Sequence, residues 1–429
     1  MLTKDLRRVT LKKSEENVTG KMGLSWITHS LRNYGLGNII NKYYCGKRNS
    51  NREIEPGRKI ESGAMMLISG GQRIEDMEIL RADGALVRSL GWKNMISSDT
   101  LREFLKDKRN SAKVRQINND LAIKVIRDSK LEGFTYDNDA TYINSNKESA
   151  EFSYQKERQF SGLLGFIPEL DICVTADFRK GNVSPCDGIL NQLRKAISQA
   201  RSAGKKITVF RSDSAAHSND IFRECDREGI KYYISLCKNT AIKEIIGSIR
   251  KNNWKNLSGR YEGRSEEYAE TVYTTNRGES VRMLVLRWAN PDITLFDESP
   301  YCYHVIGTND NDISPMEWLE KHNGRMNSEN YNKEIKTGFN CDYTPSHDFE
   351  MNRGYFLLGI LAYNMLQVMK LFYLGSAARK WTVKTMRYHF INVCGKMIRT
   401  GRKYLCKIIN VTEDTYELFR SCLFHLKMG

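Results

Sequence analysis

The sequence lacks paired cysteines. Its 10 cysteines are scattered singly along 429 residues, with no C-x-x-C pair and no histidines at zinc-finger spacing. Disulfide frameworks and structural zinc sites are built on such pairs, so the spacing argues against both. We therefore expect a reduced, cytoplasmic protein without structural zinc.

The sequence also lacks an apolar leader and has only one long apolar run. The first residues, MLTKDLRRVTLKKSEEN, are charged, and we expect neither a signal peptide nor a membrane anchor there. The long run, YFLLGILAYNMLQVMKLFYLG at residues 355–375, includes Asn364, Gln367 and Lys370, which are costly in lipid. It predicts a buried core helix, and we expect no membrane partner.

Positive charge, in contrast, is present in excess and lies at the two ends. Residues 1–130 carry +11 and residues 376–429 carry +8, whereas residues 131–375 carry −3, for a net charge of +16. Lysines and arginines that neutralise phosphates release counterions, so this distribution favours a polyanionic partner. It predicts that the two terminal regions bind the DNA backbone and that the central region, residues 131–375, contains a site built from carboxylates. A merely basic soluble protein is the alternative.

Residues 1–128 are predicted to form an N-terminal helical region. Residues 1–60 have few periodic apolar positions and are expected to be irregular or loosely helical. After Gly70 two short amphipathic helices follow, the second opened by a capping box of Thr100 and Glu103. The pair is typical of a DNA-reading module, and a packed helical domain with a solvated face explains it equally well. The side chains that would face phosphates are Arg102, Lys106, Lys108 and Arg109.

From residue 129 the pattern changes to alternating strands and helices. Strand-like stretches at FTYDNDATYI, EFSYQ and GLLGFIPELDICVTADFR precede a helix after Pro185, and two further strands, KKITVFRSD and KYYISL, flank a second helix. This predicts an α/β core at 129–237. A hairpin around the turn NRGE indicates a β-rich insertion at 238–300, and the core resumes at 301–375 with a long helix from Pro315. Residues 376–429 are predicted to be a basic, helical C-terminal region.

Three acidic residues lie where strands end or a helix faces inward: Asp139, Asp213 and Glu329. Singly, an acidic residue after a strand is most often a turn former or a helix cap. Together, two aspartates and a glutamate suffice to hold two Mg²⁺ ions about 4 Å apart, an arrangement that cleaves phosphodiesters. Asp137 is the alternative for the first position, because a strand's period of two puts it on the same face.

The residues around Glu329 show helical spacing. His322, Arg325, Glu329 and Lys336 are 3, 4 and 7 residues apart and would project within roughly 60° of one another on a continuous helix. One face would then offer a carboxylate flanked by cations suited to phosphate. An exposed helix with an ion pair between Arg325 and Glu329 is the alternative.

With these residues the chain resembles the DDE transposases of bacterial insertion sequences, in the branch with a Y-x2-R-x3-E-x6-K signature. Arg325, Glu329 and Lys336 match its spacing, and His322 stands where the signature has tyrosine. Further matches are D-x-T at 139–141, R-x-G-N at 179–182, R-x-D-S at 211–214 and AYN at 362–364. The resemblance runs from about residue 70 to about residue 387.

The resemblance implies an RNase H-like α/β core interrupted by a β-rich insertion, between a helical DNA-binding region and a helical C-terminal region. It implies cut-and-paste transposition: binding of terminal inverted repeats, nicking at the element ends, and joining of the 3′ hydroxyl to target DNA with Mg²⁺ or Mn²⁺. Asp139, Asp213 and Glu329 would hold the metal. The implied phosphate contacts are His322, Arg325, Lys336 and Arg179. A homodimer on double-stranded DNA, associated with the bacterial nucleoid, is also expected.

Two further residue groups and two other functions stay open. Some members of this class flip a base onto an aromatic side chain, for which Trp288 is the candidate here; a Trp packed in the hairpin explains it as well. The stretch RKWTVKTMRYHFINVCGKMIRTGRKYLCK is predicted to contact DNA backbone or a partner subunit. An RNase H-like nuclease of another pathway and an inactive DNA-binding remnant are the alternative functions.

Overall fold

A computed structural model describes residues 9–13, 16–44, 54–257, 265–293, 299–401 and 403–428. What the sequence predicts for residues 1–8, 14–15 and 45–53 lies outside these ranges. Within the described ranges, seven α-helices precede the first strand: α1 (Met22–Asn33), α2 (Leu36–Tyr43), α3 (Pro56–Ser69), α4 (Met77–Ala82), α5 (Gly84–Ser89), α6 (Ser98–Lys106) and α7 (Lys108–Asp128).

Residues 1–60 are predicted to be irregular or loosely helical; where the chain is described, residues 22–43 form two packed helices. The helices α1 and α2 bury Leu24, Leu31 and Ile40 almost completely. The predicted capping box is wrong, because the Ser97 side chain caps α6 by accepting the Thr100 N–H at 3.2 Å. Ser97 comes three residues earlier and leaves Thr100 inside the first turn.

Five strands form one half of a large mixed sheet. They are β1 (Gly133–Asn144), β3 (Arg158–Ile167), β4 (Ile172–Lys180), β5 (Lys206–Ser212) and β6 (Lys231–Ser235), with the short β2 (Glu151–Phe152) beside β3. The strand β1 pairs antiparallel with β3 and parallel with β5; β3 pairs antiparallel with β4, and β5 parallel with β6. Numbered along the chain, the five lie in the spatial order 3-2-1-4-5 of an RNase H-like core. The predicted α/β fold class is confirmed.

One predicted strand is in fact two. The stretch GLLGFIPELDICVTADFR contains β3 and β4, joined by a tight turn in which Leu170 and Asp171 donate to the carbonyls of Ile167 and Pro168. Asp171 has a φ of 53°, in the left-handed region. Proline cannot donate to a ladder, so the strand breaks there.

The insertion continues the same sheet instead of forming a separate layer. After α8 (Ile189–Ser202), α9 (Asn219–Glu228) and α10 (Thr240–Ser248) come β7 (Lys255–Leu257), β8 (Glu266–Thr274), β9 (Ser280–Ala289) and β10 (Tyr301–Thr308). The strands β8 and β9 are the predicted hairpin, and β10 pairs antiparallel with β6. The described sheet therefore runs unbroken from β4 and β2 to β7.

The helix predicted from Pro315 is broken. It begins there as α11 (Pro315–Asn323), tightens into a 3-10 turn at Gly324–Met326, continues as α12 (Asn327–Lys333) and ends in a π-helical turn at Glu334–Gly338. The long apolar run is α13 (Phe349–Phe372), the one described helix long and apolar enough to cross a membrane. It is 89% buried over its most apolar window, as a core helix would be.

The N-terminal helices and the sheet share one hydrophobic core around α13. Buried residues of α3, α6 and α7 pack with α13, and the same cluster reaches Phe419 and Cys422 near the end of the chain. The C-terminal region contains α14 (Val383–Met386), a hairpin of β11 (Gly395–Thr400) and β12 (Lys403–Ile408), and α15 (Glu413–Met428). The sequence predicted the helices but not this hairpin. All nine described cysteines are free.

Packing and ion pairing argue against the N-terminal helix pair as a free DNA-reading module. Arg102 contacts Asp99 and Glu75, Lys106 pairs with Glu103, and Arg109 pairs with Asp107. Most of the positive charge on these helices is thus neutralised within the protein.

Candidate active site

Asp139 and Asp213 come together where β5 ends beside the middle of the longer strand β1. Asp213 follows a strand end as predicted, whereas β1 continues past Asp139 to Asn144. In the register of β1 and β5, Asn138 lies opposite Ser212, so the next residues, Asp139 and Asp213, also lie opposite each other. Adjacent strands are about 4.8 Å apart, and paired residues point to the same face. Asp213 follows the last residue of β5 and also caps a short turn by accepting the Ala215 N–H at 2.9 Å. The predicted aspartate pair is therefore brought together by strand register.

Asp139 is largely buried among other carboxylates. Burial above all, and then the charges of Asp213 and Glu329, raise the pKa of Asp139 to about 7, while Arg325 works in the opposite direction. Asn332 of α12 donates its amide to Oδ2 of Asp139 at 2.9 Å. Three carboxylates that repel one another in a low-polarity site are an arrangement that a divalent cation would relieve.

Asp137, the alternative first carboxylate, is occupied. It is fully buried and receives both Nε and Nη2 of Arg211, at 2.6 and 2.7 Å. Burial raises the pKa of the Asp137 carboxyl, and the Arg211 guanidinium offsets this in part. Arg211 belongs to the R-x-D-S motif. That motif therefore supplies both the candidate metal ligand Asp213 and the cation that neutralises Asp137. The geometry favours Asp139 over Asp137 for metal binding.

The break at Gly324 lets the helical segment approach the strand ends. A Cβ at Gly324 would lie 1.9 Å from Nη1 of Arg211, which also donates to the Lys321 carbonyl at 3.0 Å. Arg211 cannot move away freely because Asp137 holds it on two sides. Beyond the break, α12 turns Asn332 toward Asp139, and Glu329 lies exposed one turn earlier.

The four signature positions do not all face the carboxylates. Arg325 is half-buried and electrostatically coupled to Asp139 and Asp137, and its Nε has no hydrogen-bond partner. Lys336, in the π-helical turn, donates to the Tyr142 carbonyl on β1 at 2.7 Å. His322 is 3% exposed and hydrogen-bonded to the Ser235 hydroxyl at 3.0 Å. Burial, with His304 and Arg325 nearby, lowers its pKa to about 3, so His322 is a neutral core side chain.

Arg179 and the AYN motif have visible structural roles. Arg179 donates to the Asp187 carbonyl at 2.5 Å and to the Ser161 hydroxyl at 3.2 Å, and burial lowers its pKa. Asn364 pairs with both backbone groups of Cys173 on β4, accepting at 2.9 Å and donating at 2.7 Å. Tyr363 donates to the Asp171 carbonyl. Tyr363 and Asn364 fix the start of β4 on α13, and Arg179 ties the end of β4 to β3 and to the segment before α8. Phosphate binding by Arg179 stays a prediction.

Trp288 lies on the same sheet face as the aspartates but at a distance. Followed across the sheet, the strand register puts Ser235 on β6 beside Asp213, Ile306 on β10 beside Ser235, and Leu284 on β9 beside Ile306. Trp288 comes four residues after Leu284 on β9. Three strand spacings and four residues of rise place Trp288 about 20 Å from Asp213. Its side chain is partly buried against the cluster of Leu284, Leu286 and Trp318. Its role as a base trap stays a prediction.

The donor set fits a hard divalent cation in its chemistry. Oxygen ligands from carboxylates are what Mg²⁺ and Mn²⁺ take, and Asp139, Asp213 and Glu329 offer only oxygen. Among the described residues, no three His, Cys, Asp or Glu side chains lie close enough together to hold an ion as they stand. Glu329 is near enough to affect the pKa of Asp139 but stays at the rim.

The whole chain matches one protein family. Residues 2–428 match the family described as transposase DDE domain, group 1. The chain belongs to the DDE transposases. This DDE transposase resembles a solved piggyBac transposase in a synaptic complex with hairpin DNA, at 11% identity and a TM-score of 0.47, over 84% of this chain and 79% of that one. No curated protein matches it.

Sequence reasoning missed two residues of this transposase's site. Asn332 is three residues after Glu329 and therefore near its helical face, a spacing that would have marked it. Arg211 was seen only as part of a motif, and no sequence signal showed that it pairs with Asp137. Its place opposite Asp137 depends on the β1–β5 register.

Proposed function

We propose that this transposase carries out cut-and-paste transposition of an insertion sequence. It binds the terminal inverted repeats, nicks at the element ends, and joins the freed 3′ hydroxyl to target DNA. The observation that supports this best is that Asp139 on β1 lies beside Asp213 at the end of β5, next to the helix that carries Glu329. Membership of the DDE family supports the reaction class.

Mg²⁺, for which Mn²⁺ can substitute, would be held by Asp139, Asp213 and Glu329. When bound, the metal supplies an activated oxygen nucleophile and stabilises charge on the leaving oxygen. Asn332 orients Asp139 by donating to Oδ2 and leaves its other oxygen for the ion. Asp137 and Arg211 neutralise each other beside the site, so they hold the strand ends without competing for metal.

Arg325 is the side chain best placed to hold the phosphate that is cut. It lies beside the carboxylates, and a guanidinium can bond phosphate oxygens through charge-assisted hydrogen bonds. Lys336 is fixed by the Tyr142 carbonyl and has two remaining donors, so it acts as a second positive charge on the same side. His322 makes no comparable contact.

Double-stranded DNA, as terminal repeats and as target, is the proposed partner, with a homodimer as the acting form. The net charges of +11 and +8 in the two flanks support backbone binding. Association with the bacterial nucleoid is part of the same proposal.

The experiment is cleavage of a labelled duplex that carries the element's end, with Mg²⁺, with Mn²⁺ and with chelator. The native protein is compared with Asp139→Ala, Asp213→Ala and Glu329→Ala, and DNA binding is measured in parallel. Metal-dependent cutting at the boundary that each substitution abolishes, with binding retained, supports the proposal. Cutting at unrelated sequences favours a general nuclease, and binding without cutting favours an inactive remnant.

A further inference from the structure

A cleft of about 760 Å³ lies on the side of α12 away from Asp139. Its walls are α12 with the π-helical turn on one side and residues 379–384 on the other. Lining side chains include Asn330, Lys333, Thr337, Lys380, Trp381 and Lys384. This volume lies within the range of sites that bind a ligand of nucleotide size.

The buried charges of the cleft are neutralised among themselves. Lys370 donates to the Trp381 carbonyl at 2.9 Å and lies in the field of Glu334. Glu334 accepts the Val383 N–H at 2.7 Å. Arg379 donates to the Glu169 carbonyl and lies 3.7 Å from Asp171. These contacts hold the floor of the cleft and leave it without net charge from these groups.

The rim of the cleft, in contrast, carries uncompensated positive charge. Lys333, Lys380 and Lys384 are exposed, and within the described part of the chain their ammonium groups have neither an ion pair nor a hydrogen bond. Some other exposed lysines are ion-paired, such as Lys42 with Asp120 at 2.7 Å and Lys106 with Glu103 at 2.8 Å. What sets the rim apart is that three unpaired lysines line one cleft. Unpaired ammonium groups at the mouth of a polar cleft suit a phosphate chain.

The cleft adjoins the candidate active site through α12. Lys333 comes one helical turn after Glu329, a spacing that puts their Cβ atoms about 6 Å apart. A DNA strand with one phosphate at the carboxylates and passing over this part of α12 therefore meets Lys333 at the rim of the cleft. The cleft and the carboxylates are two sides of one helix.

We infer that this cleft binds the DNA backbone immediately beside the phosphate that is cut, with Lys380 and Lys384 contacting phosphates from the C-terminal segment. The inference deepens the proposed function and rests on it for the position of the cut. Binding itself, however, can be tested without cleavage.

The test measures affinity for a duplex of about 30 base pairs of arbitrary sequence, in chelator, over a range of salt concentrations. The native protein is compared with Lys380→Ala/Lys384→Ala and with the matched control Lys205→Ala/Lys231→Ala, which removes the same charge from positions paired with Glu132 and Asp310, outside the two basic flanks. Each phosphate contact contributes about 0.9 to the slope of log affinity against log salt, so the cleft variant should lose about 1.8 and the control almost nothing.

Equal slopes for the two variants, or no binding by the native protein, would overturn the inference. A normal unfolding midpoint for the cleft variant shows that a lost slope is not misfolding. If the native protein binds with the full slope but does not cut an element end, the proposed function fails while the cleft stands.

Discussion

Carboxylates at two places in the sheet, the insertion hairpin and the position of Asp139 on β1, have opposite electrostatic surroundings. In the insertion hairpin, Glu267 pairs with Arg287 at 2.7 Å and Glu270 with Arg282 at 2.8 Å. On β1, Asp139 has no ion pair among the described residues: the Asn332 amide and the Ala140 N–H donate to it, other carboxylates lie nearby, and Arg325 offsets only part of the rise in its pKa. Arginines on the hairpin pair directly with its glutamates, whereas no arginine among the described residues forms such a pair with Asp139. The lack of a direct ion pair, more than the presence of an acidic residue, therefore distinguishes the site.

The largest expected effect comes from neutralising one carboxylate at each of the two places and comparing the rates of strand cutting. Asp139→Asn should lower the rate of strand cutting by about 10³-fold or more, beyond the ~10–100-fold loss typical of residues that only orient a metal ligand. Glu267→Gln should cut at the native rate, because it removes only a hairpin ion pair. The measurement is cutting of a labelled element end at saturating protein. Equal loss in both variants would show that the contrast has no functional meaning.

On the same strand, Asp137 should contribute to the free energy of unfolding, whereas Asp139 contributes to strand cutting. Asp137→Ala leaves the Arg211 guanidinium buried without its partner and should lower the free energy of unfolding by about 3–5 kcal/mol. Glu267→Ala, at a more exposed pair, should cost less than about 1 kcal/mol. Urea unfolding measures both. If Asp137→Ala unfolds at the native midpoint, the ion pair does not stabilise the strand ends.

Asn332 sharpens the contrast because it is the neutral group that faces Asp139. Asn332→Ala should reduce cutting by about 10–100-fold and raise the Mg²⁺ concentration needed for half-maximal rate, with DNA affinity unchanged. Asn256→Ala, at an exposed position of β7, is the control and should behave like the native protein. A rate loss in Asn332→Ala without a change in Mg²⁺ dependence would speak against a role through Asp139.

Protonation of His322, which lies on α11 beside His304 of β10, should have the smallest effect, a change in stability with pH. Its pKa in the folded protein is lowered to about 3, so the unfolded chain binds more protons below pH 6.5 and stability is lost as pH falls. Between pH 6.5 and 5.5 the loss should be about 1 kcal/mol. His322→Gln should abolish this drop in urea unfolding at the two pH values. An equal drop in the variant would assign it to other groups.

Local patterns were enough to predict β1, β5 and β6, the hairpin of β8 and β9, and the core helix α13. The contacts that the sequence did not reveal are long-range: β6 pairs with β10 some 70 residues later, and Arg211 finds Asp137 across the strand register. The helices of residues 22–43 were missed because partners at the far end of the chain, such as Phe390 and Phe419, cover part of their surface. The break at Gly324 depends on a contact with Arg211 that helical periodicity cannot show.

The unbroken sheet has a consequence for DNA geometry. Because β5, β6, β10 and β9 are hydrogen-bonded neighbours, the span of about 20 Å from Asp213 to Trp288 is set by the sheet and not by a linker. At 3.4 Å per base pair it corresponds to about six base pairs, slightly more than half a turn of the duplex. A duplex lying along this face would present opposite grooves to the carboxylates and to the hairpin.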